Sequence, residues 1–499
     1  MSGADFLALL PLMLISAAPV AVMLAIAFFR GPRQRGVGGA GRMAAALTLL
    51  GLLISFVSLP FAAAYAPRHV TPLLIIDDYA LFYMGLIFAA TFAVALLSYG
   101  YLGMLRERRE EFYVLLLLAA AGSSVLVASA HFAAFFLGLE TLSVSLYALV
   151  SYPASRAKAI EAGVKYLVLA AVSSAFLLFG MALVYGQLGT MEFSEIAQRA
   201  AGAAGRLAEP AFLGALALIA VGFGFKLAVA PFHMWTPDVY EGAPAPVSAF
   251  VATVSKGAVF ALFLRYFALV DIHQMGSLAL VATIISIASM FTGNLLALLQ
   301  ENVKRILAYS SIAHLGYLVV AFLASGPLRV TAVSYYLVSY FIAMLGAFGV
   351  VSVLSDGQGD AEDLEAYRGL SSRRPFIAGV FSAMLFSLAG IPLTAGFIGK
   401  FYIIAAGVGS ALWLLVAVLV ANSAIGLYYY IRVIITMYSA EAAGPERAEG
   451  PEGAAAPQGA AVPLGGSLLL AALTLGLVWL GVYPSPLVSL IQKTIHGLM

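Results

Sequence analysis

The sequence predicts an all-α polytopic membrane protein of about fourteen transmembrane helices, with two inverted five-helix repeats that each contain a broken helix. Three observations predict it. The 499 residues are 63% hydrophobic and only 10% charged, with a mean hydropathy of +1.00, whereas soluble domains carry about 25% charged residues. Apolar runs of about 20 residues, enough to span a bilayer, recur along the whole chain. Two of these runs are interrupted by proline and glycine beside lysine: GFGFKLAVAPFHMWTPDVYEGAPAPVSAFVATVSK at 222–256 and LFSLAGIPLTAGFIGKFY at 385–402.

In chain order the spans fall near 6–29, 43–65 and 79–102, then 112–129, 132–150, 160–185, 211–235 and 246–269. They continue near 276–299, 304–324, 329–353, 375–407 and 411–437, and end near 463–483. Asp5 precedes the first span and Arg30, Arg33, Arg35 and Arg42 follow it. That is the reverse of a secretory signal, so the first span reads as a retained helix. Basic residues concentrate after odd-numbered spans: Arg106, Arg108 and Arg109, Arg156 and Lys158, Lys304 and Arg305, Arg368, Arg373 and Arg374, and Arg447. The loop at 236–245 has none. The positive-inside rule then puts both termini outside.

The spans group into 1–110 (helices 1–3), 111–270 (helices 4–8, the first repeat), 271–438 (helices 9–13, the second) and 463–499 (helix 14). An odd number of spans per unit forces opposite orientation, and the broken helix is fourth in each. Residues 439–462, rich in Ala, Gly, Pro and Glu, read as a flexible cytoplasmic loop. Asp356, Asp360, Glu362, Asp363 and Glu365 read as a solvated acidic loop, with docking to a partner subunit as the sharper alternative.

Composition narrows the chemistry. A net charge of +2 gives no basic surface for nucleic acid, and the absence of cysteine removes thiol catalysis and cysteine-held iron–sulfur clusters. No nucleotide loop, haem-attachment motif, nucleophile constellation or metal-ligand cluster is present.

The informative residues are the intramembrane charges, each costing roughly 2.5–3.5 kcal/mol on insertion scales. Lys226 precedes Pro231, which forces its helix to break; a break in a membrane needs protein or a wet cavity around it. Lys256 lies too deep to snorkel comfortably, and Lys400 sits beside the second break. Glu140 is mid-span with no cation in its own segment, so it needs a partner on another helix, with Lys226 the leading candidate. Lys165 lies about one turn inside its span, four residues after Glu161, and either pairs with it or snorkels. His314, mid-span, and His233, in the break, either shuttle protons or sit as hydrogen-bonded core residues. Asp238 and Glu241 at the end of the break are candidate gate residues or merely interfacial. Together these charges point to an ion pathway.

The stretches PFHMWTPDVYEGAPAPVSAF, NVKRILAYSSIAHLGY and LAGIPLTAGFIGK, with Lys256, resemble the antiporter-like membrane subunits of respiratory complex I (NADH:quinone oxidoreductase) and the related Mrp-type cation/proton antiporters. The resemblance covers about residues 75–437. EAYRGLSSRRPFIAG, the fourteen-span length and Lys400 resemble the N-type branch, counterpart of mitochondrial subunit 2. The resemblance implies a proton relay in which Glu140 is the helix-5 glutamate, Lys226 its helix-7 partner, Lys256 the central helix-8 lysine and Lys400 the helix-12 lysine. Lys165 matches a lesser helix-6 lysine, and His314 falls in the helix-10 region. It further implies a translocase subunit in a bacterial inner membrane, beside subunits K and M. This chain would hold no cofactor; flavin, iron–sulfur clusters and quinone would lie in partner subunits. Two other readings stand beside it: a Mrp-type sodium/proton antiporter subunit and a non-conducting scaffold. Lysines in the row repel a bound cation, which favours protons over sodium.

Overall fold

The computed structural model describes residues 2–29, 39–104, 109–152, 154–202, 209–269, 276–357, 359–440 and 464–495. Ser2 and Asp5 cap the short helix α1 (Gly3–Ala8) reciprocally, each side chain accepting from the other's amide. The spans α2 (Leu10–Phe29) and α3 (Gly39–Val57) follow, the latter extended by α4 (Leu59–Ala63). An antiparallel hairpin, β1 (Arg68–Val70) and β2 (Leu74–Ile76), leads into α5 (Asp78–Met104), α6 (Glu110–Ala128), α7 (Phe132–Val150) and α8 (Ala157–Leu188). Only three residues part α6 from α7. They suffice because Ser129 is extended and pairs with Leu74, while His131 accepts the Ala133 amide at 3.0 Å and caps α7. Gly122 and Gly138 bring these two helices into backbone contact: a Cβ on Gly122 would lie 2.6 Å from the Leu142 nitrogen.

After α9 (Phe193–Gly202) come α10 (Pro210–Leu227), α11 (Trp235–Gly242) and α12 (Ala245–Phe250). A π-helical turn, Val251–Ser255, joins α12 to α13 (Lys256–Leu269). Then follow α14 (Gly276–Leu298), α15 (Val303–Leu323), α16 (Leu328–Leu354), a 3-10 turn at Leu364–Tyr367, α17 (Leu370–Arg373), α18 (Pro375–Ala389), α19 (Ala395–Gly409), α20 (Trp413–Tyr438), α21 (Leu464–Val482) and α22 (Ser485–Ile495).

Among the described residues, thirteen helices are long and apolar enough to cross a membrane. The shorter apolar helices α18 and α19 lie in series where the sequence predicts the remaining, broken span. The centre is held by α15 and the α12–α13 span: 94% of the residues in each apolar window are buried, against 28% in α14 and α21. Lipid is as apolar as leucine, so hydrophobicity does not select which helices go inside. Polarity does: these two spans carry Ser248, Thr253, Ser255, Lys256, Lys304, Ser311 and His314, all buried.

The two breaks are built alike. α10 stops at Leu227, the carbonyl position four residues before Pro231 that a proline ring obstructs. Ala228 turns left-handed (φ 59°), and the amides of Val229 and Ala228 reach back to the carbonyls of Gly224 and Phe225. α18 ends the same way at Gly390 (φ 86°), with Ile391 and Gly390 bonding to Phe386 and Ser387.

The structure alters two sequence expectations. The segment 236–245, read as a loop, is mostly helix α11. The acidic run is not simply a solvated loop: Asp360 is buried, its side chain 5% exposed, and the neighbouring backbone pairs with the start of α15 (Val303 amide to Glu362 carbonyl, 2.7 Å). The proposed flexible loop at 439–462 lies, beyond Ala440, outside the described residues, as do Arg30, Arg33, Arg35, Arg106, Arg108 and Arg447.

Candidate functional site

The intramembrane charges fall on α7, α10, α13, α15 and α19; Glu140 on α7 is half-buried and the others are buried. Lys226, in the last turn of α10, is 5% exposed; its Nζ donates to Ser143 Oγ on α7 at 2.7 Å. Glu140 lies one turn earlier on α7, and its Oε1 accepts from Ser174 Oγ of α8 at 2.7 Å. The Glu140–Lys226 contact expected from the sequence is therefore not a direct ion pair. Each charge is held by a serine hydroxyl, and the two groups remain close enough to interact electrostatically.

Lys256 is 1% exposed. The π-turn before it adds a residue to the helix and re-aims the side chains beyond it. Its Nζ donates to Ser311 Oγ at 2.6 Å and lies 5.2 Å from the centre of the Tyr240 ring. Ser311 also accepts from Tyr340 Oη at 2.6 Å. One turn further along α15, His314 bonds through Nδ1 to Tyr336 Oη (2.5 Å) and through Nε2 to Tyr430 Oη (3.0 Å). A cavity of about 10 Å³, room for one water, is lined by His314, Tyr336, Ser339, Tyr340, Ser387 and Gly396. It joins the Ser311–Tyr340 group to the second break. There Lys400, 7% exposed, donates to the Ala389 carbonyl at 2.8 Å, at the negative end of α18, and lies 5.2 Å from the Tyr317 ring centre.

A second group sits at the α11 end of the first break. Lys165 pairs with Glu161 and Asp238 (2.8 Å each), and Arg305 with Asp238 (3.0 Å) and Glu241 (2.8 Å). Lys158 reaches Glu241 (3.1 Å) and Glu362 (2.8 Å). Lys158, Glu161, Lys165, Asp238 and Glu241 rim a cavity of about 160 Å³. Burial pushes the carboxyls of Asp238 and Glu241 up, but the lysine and arginine bonded to each outweigh it and hold both below their ordinary range. Both are anionic at neutral pH.

Lys226, Lys256, His314 and Lys400 thus share the interior, with Glu140 half-buried one turn from Ser143, whereas Lys165, Asp238 and Glu241 share the half-exposed cavity. His233, 9% exposed, joins neither group. Sequence reasoning missed the uncharged members: Ser143, Ser174, Ser311, Tyr336, Tyr340 and Tyr430. Their signal was helical spacing, Ser143 three residues after Glu140 and Ser311 three before His314. It also missed Lys304 and Asp360 as buried partners (2.6 Å). Among the described residues no three His, Asp or Glu side chains gather as a metal-ligand set.

The chain matches the family described as NADH:quinone oxidoreductase/Mrp antiporter, transmembrane, over residues 129–426. It is 53% identical to NADH-quinone oxidoreductase subunit N of Nitrosospira multiformis, over 99% of this chain and 97% of that one. Its fold matches a chain of respiratory complex I from Thermus thermophilus solved with bound aureothin, at TM-score 0.78 and 31% identity, covering 97% of this chain and all of that one. A chain of the Mrp complex from Dietzia shares the fold at TM-score 0.84 and 20% identity, over 100% and 98%. The chain belongs to the NADH:quinone oxidoreductase/Mrp antiporter family of membrane subunits, in its subunit N branch.

Proposed function

We propose that this chain is a proton-translocating membrane-arm subunit of an NADH:quinone oxidoreductase, carrying protons through Glu140, Lys226, Lys256, His314 and Lys400. The observation that carries the reading is the company the three interior lysines keep. The ammoniums of Lys226, Lys256 and Lys400 are bonded to a hydroxyl or a carbonyl and, unlike Lys304, none to a carboxylate. A cation fixed in an ion pair keeps its proton; one solvated by neutral dipoles takes up or releases it as neighbouring charge changes.

Protons enter at the charged cavity of Lys165, Asp238 and Glu241, which faces the cytoplasm, and reach Lys226. They pass through Lys256, Ser311 and Tyr340 to His314, and leave through Lys400. Glu140 moves between Ser174 and Lys226. Near Lys226 it stabilises the ammonium; drawn back to Ser174 it leaves the charge uncompensated, and the proton moves inward. The matching caps of the two breaks support reading 111–270 and 271–438 as inverted repeats. Redox energy, flavin, iron–sulfur clusters and quinone belong to partner subunits, with subunits K and M as membrane neighbours. The complex sits in a bacterial inner membrane with both chain termini on the periplasmic side. The same lysines disfavour a sodium path, since among the described residues no three acidic side chains gather as a cation-ligand set.

The test is proton pumping by inverted vesicles carrying Lys256→Ala or Lys400→Ala, with electron transfer and assembly measured alongside. The expected result is an assembled complex with pumping per electron reduced. Undiminished pumping in both variants would overturn the relay and favour a scaffold role.

A further inference from the structure

Lys304 opens α15 and is buried. Its ammonium has three N–H donors, and all three are engaged: the Glu241 carbonyl at 2.7 Å, the Ala243 carbonyl at 2.7 Å and Asp360 Oδ2 at 2.6 Å. The first two acceptors are the end of α11 and its C-cap, where a helix leaves carbonyls without internal partners. A cation there meets free lone pairs and the negative end of the helix dipole. α11 has eight residues, far below the length at which a helix persists by itself. It depends on such anchors.

Asp360 makes that cation tenable. Its Oδ1 accepts from Tyr101 Oη of α5 at 2.6 Å and from Arg156 at 3.3 Å. The carboxylate is therefore fixed from two sides before it meets Lys304. Asp360 belongs to the linker between α16 and α18, in the second half of the chain; α11 belongs to the break in the first half. The other side of α11 leaves no slack: a Cβ at Gly242 would lie 2.5 Å from Ala162 Cβ and 2.6 Å from the Lys158 carbonyl of α8. On α15, Ser311 comes seven residues after Lys304, so the helix that anchors α11 also presents the hydroxyl beneath Lys256 on the same side.

We propose that Asp360 is a positioning residue that, through Lys304, holds the α11 end of the first break in place from the second half of the chain. Its importance for transport rests on the relay reading; the positioning itself does not. The arrangement differs from an ordinary buried ion pair in one testable respect. An ordinary pair tolerates exchange of its charges, whereas a carboxylate at position 304 has no N–H to give the carbonyls of Glu241 and Ala243.

The experiment is hydrogen–deuterium exchange on the assembled complex, reading peptides across 235–245, with α2, which does not touch Asp360, as the internal reference. Asp360→Ala is expected to raise exchange across 235–245 by at least about five-fold. The exchanged pair Lys304→Asp with Asp360→Lys is expected to do the same, with α2 unchanged in both. Asp360→Asn keeps the side-chain volume and an acceptor for Tyr101, and serves where Asp360→Ala fails to assemble. Exchange within two-fold of the parent in Asp360→Ala and Asp360→Asn overturns the proposal, as does restored protection in the exchanged pair. Pumping per electron is read on the same samples. Raised exchange with undiminished pumping keeps the positioning role and overturns the assignment of this break as the proton entry.

Discussion

At Ser311 a lysine, a serine and a tyrosine meet on one oxygen. The hydroxyl accepts from Lys256 and from Tyr340, which fills its two lone pairs. Its own proton is left for Tyr240 Oη at 3.4 Å. A neutral Lys256 has a lone pair to offer, and the serine proton would turn toward it. In the proposed relay the hydroxyl would therefore change direction with the charge of Lys256 and pass that change to Tyr340. Ser311→Ala leaves a buried ammonium without its hydrogen-bond partner, a penalty of about 1–3 kcal/mol. The expected result is a proton-pumping rate down by about ten-fold, equivalent to about 1.4 kcal/mol of barrier. Ser311→Thr, which keeps the hydroxyl, should retain most of the activity. Dye quenching in inverted vesicles reads both; parent-like pumping in Ser311→Ala removes the serine from the path. This residue also marks what a sequence shows at this scale. Lys226, Lys256 and Lys400 stand out because a charge in a membrane is costly wherever it occurs. Ser311 does not, because serine on a transmembrane helix commonly just bonds back to its own backbone, as Ser123 and Ser124 do here.

The breaks show how much of an element's geometry its residues announce. Pro231 and Pro392 locate both interruptions, since proline cannot continue the helix before it. Nothing in the letters says that α11 begins after only seven intervening residues from the end of α10, nor that Lys400 reaches back across its own break to the Ala389 carbonyl. Those features come from tertiary contacts that no local pattern encodes. Gly396 is the tightest of them: a Cβ there would lie 1.9 Å from the Ser387 carbonyl oxygen, which is backbone and has nowhere to go. Gly396→Ala should push α19 away from α18, lengthen the Lys400–Ala389 bond and cost about 1–3 kcal/mol. Gly379, on α18, has nothing within 4 Å of its would-be Cβ. Gly379→Ala should be neutral, or stabilising by up to about 1 kcal/mol through helix propensity. Melting of the purified complex separates the two, and equal melting points would show that the close contact at the second break is dispensable.

Across the whole molecule, buried ion pairs tie together helices that lipid alone would not hold. At one end Asp77, just before α5, takes a bidentate clasp from Arg265 of α13 (2.8 Å for each bond), with the guanidinium 4.8 Å from the Tyr79 ring centre. At the other, Asp360 joins α5, the α16–α18 linker and α15. The fold class was legible from hydropathy. These clasps were not, because Asp77 and Asp360 sit between spans, where an acid is ordinarily solvated. The second clasp carries a pH signature. Burial pushes the Asp360 carboxyl up, but Lys304, Tyr101 and Arg156 together hold it below its ordinary value of 3.8. A carboxyl depressed by folding stabilises the fold fully above its unfolded value and loses that contribution as pH falls toward the folded one. The parent should therefore exceed Asp360→Asn in thermal stability by a constant margin from neutral pH to about 4.5, and the margin should narrow between about 4.5 and about 3. Subtracting the variant cancels the other acids that titrate in that window, Asp238 and Glu241 among them. A margin that stays level to about pH 3, or no margin at neutral pH, would mean that Asp360 is buried without contributing to the hold between the two halves.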